Sequence, residues 1–82
     1  RAKKLRIVVR DVDAAILMLR HEGYQPEVGN EPGVVFLGEK RALEAPDSIA
    51  VLLVKAGTPP LSLMLEKERL EEHFLRLTEE AA

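Results

Sequence analysis

The residues whose types could do chemistry are two histidines, His21 and His73, and a late group of carboxylates, Glu68, Glu71, Glu72, Glu79 and Glu80. A histidine works as a zinc ligand or general base when a companion stands at a fixed spacing, such as a second histidine four positions away on one helix face. His21 and His73 lie far apart in the chain, and neither has that companion. On a helix the glutamates read as a solvated face, in which Glu72 can pair with Arg76 at i,i+4. No Ser-His-Asp arrangement and no glycine-rich phosphate loop occurs. With no cysteine in the chain there is no thiolate nucleophile, no disulfide and no sulfur ligand for zinc or iron. The residues predict no catalytic, cofactor-binding or metal-ligating side chain, and so a chain that binds, docks or regulates.

The elements that would position such contacts can be read from periodicity. Leu5, Ile7 and Val9 alternate with Arg6, Val8 and Arg10, which predicts a strand from Leu5 to Arg10 with one buried face. Asp11 is placed to cap a helix with Asp13 in its first turn, and Val12, Ala15, Ile16 and Leu19 form its apolar face. Gly23 should end it in a left-handed cap. Tyr24 to Val28 and Val34 to Leu37 flank the turn residues Gly29-Asn30-Glu31-Pro32-Gly33 and predict an antiparallel hairpin, with Pro26 assigning its first strand to an edge. A polar connection from Gly38 to Glu44 leads to Pro46, suited to the first turn of a second helix whose apolar residues are Ile49, Ala50, Leu52, Leu53 and Ala56. Gly57 ends that helix as Gly23 ends the first. Leu61, Leu63 and Leu65 then predict a fourth strand with an inward leucine row, and a last helix from about Glu68 to Glu80 packs through Leu70, Phe74 and Leu77.

This order predicts an α+β fold: a ferredoxin-like split βαββαβ sandwich with an added C-terminal helix. An internal echo accompanies it, because Leu19, Gly23 and Pro26 recur as Leu53, Gly57 and Pro60 at a constant offset. At 82 residues, 46% apolar and 32% charged, residues 1–82 form one domain with one core. The longest apolar runs, Ala14 to Leu19 and Ile49 to Val54, are six residues each, against about 20 for a membrane span. With Arg1, Lys3 and Lys4 leading into an alternating segment and not an apolar signal region, a cytoplasmic location is the default expectation.

Other functions of such a fold have requirements that can be checked. A metal carrier would need a cysteine pair in the first loop, where Asp11-Val12-Asp13 stands. A phosphate-cradling or ligand-sensing first loop would need glycine, and none precedes Gly23. RNA stacking would need two or three strand aromatics, and Phe36 and Tyr24 are the candidates. The net charge of -2 argues against nucleic-acid binding, leaving a local basic patch at Arg1, Lys3, Lys4, Arg6 and Arg10 as its only basis. Leu17, Met18 and Met64 fall off the expected core faces and suggest a docking surface.

The closing segment, Leu70-Glu71-Glu72-His73-Phe74-Leu75-Arg76-Leu77-Thr78, resembles the Leu-Glu-x-x-Phe-x-x-Leu-Thr helix that ends ATP-binding subunits of ABC transporters of the drug, antibiotic and polysaccharide export class. Leu70, Glu71, Phe74, Leu77 and Thr78 fill the motif. The helix ending Leu19-Arg20-His21-Glu22-Gly23-Tyr24 and the Lys55-Ala56-Gly57 turn before a leucine-rich strand also look like that class's accessory domain, so the resemblance covers Leu5 to Thr78. One departure is Glu68-Arg69, where the family commonly has a capping pair such as Pro-Ser. The resemblance implies a C-terminal piece of a longer ATPase, an expectation that the lone Arg start also favours. ATP and Mg would be bound by the parent chain, and this domain would brace or regulate the ATP-binding core and its dimer mate. It would reach a membrane permease through the parent, at the inner face of the membrane, without inserting itself. Leu70, Phe74 and Leu77 would anchor the last helix, and Glu71, His73 and Arg76 would be the exposed partner contacts. The alternative expectation is a ligand-sensing, ACT-like dimerisation module of a metabolic enzyme or regulator.

Overall fold

In the computed structural model, residues 3–67 are described. The order is β1 (Lys3–Val8), α1 (Val12–His21), β2 (Glu27–Val28), β3 (Val34–Leu37), α2 (Lys40–Glu44), α3 (Pro46–Lys55) and β4 (Ser62–Lys67). The strands form one sheet in the order β2-β3-β1-β4, with every neighbouring pair antiparallel. The fold is therefore a small α+β arrangement with a four-stranded antiparallel sheet.

Local chemistry accounts for most of the boundaries. Asp11 has extended backbone and its Oδ1 accepts the Ala14 N–H at 3.1 Å, so it is the N-cap of α1. Pro46 stands in the first turn of α3, where the missing N–H costs nothing. Both helices stop at a glycine of positive φ, Gly23 and Gly57. Period two sends Leu5 and Ile7 of β1, and Val35 and Leu37 of β3, to one side of the sheet, where they are fully buried with Ala15 and Leu19 of α1, Ala42 of α2, and Ile49 and Leu53 of α3. Tyr24 and Val9 join this single core.

Several expectations are corrected. β1 begins at Lys3 and ends at Val8. The Val9 N–H still bonds the Gly33 carbonyl in register with β3, but Gly33 turns away at positive φ, and the ladder goes no further toward Arg10. Only Glu27–Val28 of the expected strand from Tyr24 are in the ladder, because Pro26 has no N–H to donate and the Gln25 N–H is taken by the Glu39 carboxylate at 2.6 Å. The polar connection from Gly38 to Glu44 contains α2. Its single buried residue, Ala42, is too small to create a periodic signal yet fills the core beside α3. In α3, Ile49 and Leu53 are buried and Ala56 is exposed at the C-cap. The leucine row of β4 points to the helix side but is not enclosed by the described residues. Leu63 is partly buried, Leu65 retains 46% of its surface, and Leu61, expected in the row, falls at the bend before β4 and retains 52%. The expected last helix, 68–80, lies outside the described residues.

Candidate functional site

Among the described residues the helices all serve one side of the sheet, and the other side is built by the alternate residues. β1 contributes Lys4, Arg6 and Val8, β3 contributes Val34 and Phe36, β4 contributes Met64 and Glu66, and β2 contributes Glu27. Register makes them neighbours: Arg6 stands between Phe36 and Met64, Lys4 stands opposite Glu66, and Glu27 stands opposite Phe36. The half-buried Phe36 and the exposed Met64 thus flank an arginine at the middle of a face that no other described element covers.

The charges on this face are paired within the domain. Lys4 Nζ lies 3.4 Å from Glu27 Oε1 and 5.5 Å from the centre of the Phe36 ring. Arg6 Nη2 donates to Glu31 Oε1 at 2.7 Å. Exposed pairs of this kind add at most about 1 kcal/mol of stability, but they decide what the face offers a partner. Each cation already has its anion, which leaves little attraction for a phosphate backbone. The expected basic patch is also dispersed by strand parity. Lys4 and Arg6 project to this face, Lys3 belongs to the opposite parity, Arg10 is exposed beyond the strand, and Arg1 lies outside the described residues.

A cavity of about 310 Å³ opens at the β2 end of the sheet, lined by Lys4, Gln25, Glu27, Gly38 and Glu39. Glu39 ties the entry of β2 to the start of α2, since Oε2 accepts the Gln25 N–H while Oε1 is buried without a partner. Next to it, the Arg41 guanidinium stacks on the Tyr24 ring at 3.9 Å and donates to the Glu22 carbonyl at 2.9 Å. These contacts brace the end of α1 against α2 and are structural in kind.

His21 is exposed in the last turn of α1, beside Glu22 at 3.6 Å. The motif residues Leu70, Glu71, Phe74, Leu77 and Thr78, and the suggested contacts His73 and Arg76, lie outside the described residues. Among the described residues, no group of three or more His, Asp or Glu side chains could hold a metal ion, and no helix is long and apolar enough to cross a membrane. Of the apolar residues singled out for docking, Met64 lies on the uncovered sheet face. Leu17 is exposed at 71% on α1, and Met18 packs against the core. Sequence reasoning missed Phe36 as the neighbour of Arg6 on this face and Glu27 and Glu31 as the partners of its cations. Strand parity carried the first signal, but the ion pairs depend on the hairpin returning beside β1. Over the described residues the chain is a small α+β fold whose helices cover one side of a four-stranded antiparallel sheet and leave the other open. No family model, curated protein or solved structure matches it.

Proposed function

We propose that this chain is a non-catalytic accessory domain that docks through its open sheet face and braces or regulates the ATP-binding subunit of an ABC-class exporter, or the dimer of that subunit. The observation that supports docking is the face left uncovered among the described residues, with Phe36 and Met64 flanking Arg6 and the cations on it neutralised as internal pairs. Such a surface favours a protein partner with a small apolar patch over a polyanion. The transporter assignment is carried by the resemblance of Leu70-Glu71-x-x-Phe74-x-x-Leu77-Thr78 and of the helix-glycine turns before it. The strand order is the one that two interleaved βαβ units generate, which supports the ferredoxin-like reading of the fold. In this reading the parent chain holds ATP and Mg at the inner face of the membrane and engages the permease.

The test is the longer reading frame that contains these residues. A phosphate-binding loop and signature motif upstream are expected, with Met64→Glu in the whole protein changing ATPase rate or dimer affinity several-fold while the fold is retained. An upstream region of unrelated type, or an unchanged ATPase and dimer affinity in the variant, rejects the reading. The ACT-like dimerisation alternative draws on one observation: among the described residues β4 pairs only with β1, which leaves its outer edge open to a second copy. Concentration-dependent dimerisation that tightens with a small ligand would favour it.

A further inference from the structure

Arg6 is a cation set between apolar neighbours, with Phe36 opposite it on β3 and Met64 opposite it on β4. Its side chain keeps 23% of its surface, whereas its carboxylate partner Glu31, on the hairpin loop, keeps 71%. The bond between them is single, from Nη2 to Oε1 at 2.7 Å, and among the described residues it is the only side-chain hydrogen bond of this guanidinium. A guanidinium carries its N–H donors in a planar fork that suits both oxygens of one carboxylate. Glu31 therefore fills part of the fork, and does so from the solvent side.

We propose that a carboxylate of the protein partner replaces Glu31 on Arg6 when the open face docks, so that Glu31 is an internal stand-in for an acidic residue of that partner. This role rests on docking through the open face and names the chemistry the partner brings: a single aspartate or glutamate flanked by apolar side chains that cover Phe36 and Met64. The exchange conserves charge at Arg6, since one carboxylate leaves as another arrives. Glu31 returns to water at little loss, because an exposed ion pair contributes little. The incoming carboxylate gains more, because a partner seated on Phe36 and Met64 excludes water from Arg6 and strengthens a two-point, charge-assisted bond there. A partner that covered Arg6 without supplying an anion would rely on a one-point bond to the loop. Glu27 and Glu66 stand on the same face beside Phe36 and Lys4 and repel a run of anions, so the face admits a lone carboxylate and disfavours a polyanion.

The probe is hydrocinnamate, a carboxylate on an apolar arm, titrated into the full chain and read by NMR at the Arg6 side-chain N–H and the Met64 methyl. Saturable shifts at both are expected, with no Arg6 response to the neutral amide of the same compound. Glu31→Gln, which weakens the internal pair at unchanged size, is expected to tighten the carboxylate about fivefold, and Arg6→Gln is expected to weaken it about tenfold or more. Equal responses to acid and amide overturn the proposal. So does an affinity that is unchanged or weaker in Glu31→Gln, which would make Glu31 a contact in its own right. Binding that Glu31→Gln tightens, alongside an ATPase rate and dimer affinity that Met64→Glu leaves unchanged, would keep the carboxylate site and reject the transporter reading; the reverse pattern would reject the carboxylate site alone.

Discussion

Gly23 and Gly57 occupy the same place in two copies of one structural device. Each follows a helix with positive φ, at +90° and +82°. The Gly23 N–H bonds the Arg20 carbonyl and the Gly57 N–H bonds the Val54 carbonyl, both at 3.0 Å. One residue on, the Tyr24 N–H reaches Leu19 and the Thr58 N–H reaches Leu53, at 2.9 and 3.0 Å. These are paired Schellman caps. Because Leu19 and Leu53 are both fully buried, each cap also fixes the height at which its helix meets the sheet. The echo in the sequence is therefore an echo in hydrogen bonding, one cap in each half of the fold.

The two glycines should respond differently to alanine. A Cβ at Gly57 meets nothing within 4 Å, so Gly57→Ala is expected to cost only the left-handed backbone penalty, about 1 kcal/mol. A Cβ at Gly23 would come within 3.0 Å of Arg41 Nη2. Gly23→Ala should cost more, because Arg41 must give up part of its contact with Tyr24 or Glu22. Urea midpoints of the two variants check the order.

Asp11→Ala removes the side-chain bond to the Ala14 N–H. A loss of about 1 kcal/mol is expected, and Asp11→Asn should recover most of it. Equal destabilisation by both would show that the cap bond is not the source.

Leu53→Ala deletes a fully buried side chain from the single core and should cost about 2–5 kcal/mol, a large share of the stability of so small a domain. Leu17→Ala, on the exposed side of α1, should stay within about 0.5 kcal/mol. Thermal melts of the pair measure the contrast, and similar melting temperatures would refute the core assignment.

Arg41→Lys keeps the charge but loses the planar group stacked on Tyr24 and the directed bond to Glu22. The variant is expected to lose roughly 1 kcal/mol, and Arg41→Ala is expected to lose at least as much. A neutral Arg41→Lys would mean that the stack contributes only its charge.

Nucleic-acid affinity tests the internal pairing of cations. The unaltered chain is expected to show no binding to a single-stranded oligonucleotide at 0.1 M salt. The double variant Glu27→Gln and Glu31→Gln, which releases Lys4 and Arg6, should gain weak binding that declines as salt rises. Salt-sensitive binding by the unaltered chain would overturn the account of the face.

Features within a few residues of their cause were legible in the sequence alone. The Asp11 cap, the glycine stops at Gly23 and Gly57, the strand Val34–Leu37 and the edge position of the proline-bearing strand each depend on backbone stereochemistry or on a donor that proline lacks. Period two likewise assigned Met64 to a face apart from the core row of Leu5 and Ile7. Tertiary structure decided what depends on distant segments meeting. Helix α2 has one buried anchor, Ala42, and is held in place by core neighbours from α3 and the sheet. Glu27 and Glu31 meet Lys4 and Arg6 because the hairpin returns beside β1. Leu65 shares the helix side with Leu5 yet is half exposed among the described residues, because enclosure requires a second layer above the edge strand. Alternation sets the direction of a side chain, whereas its burial depends on what packs above it.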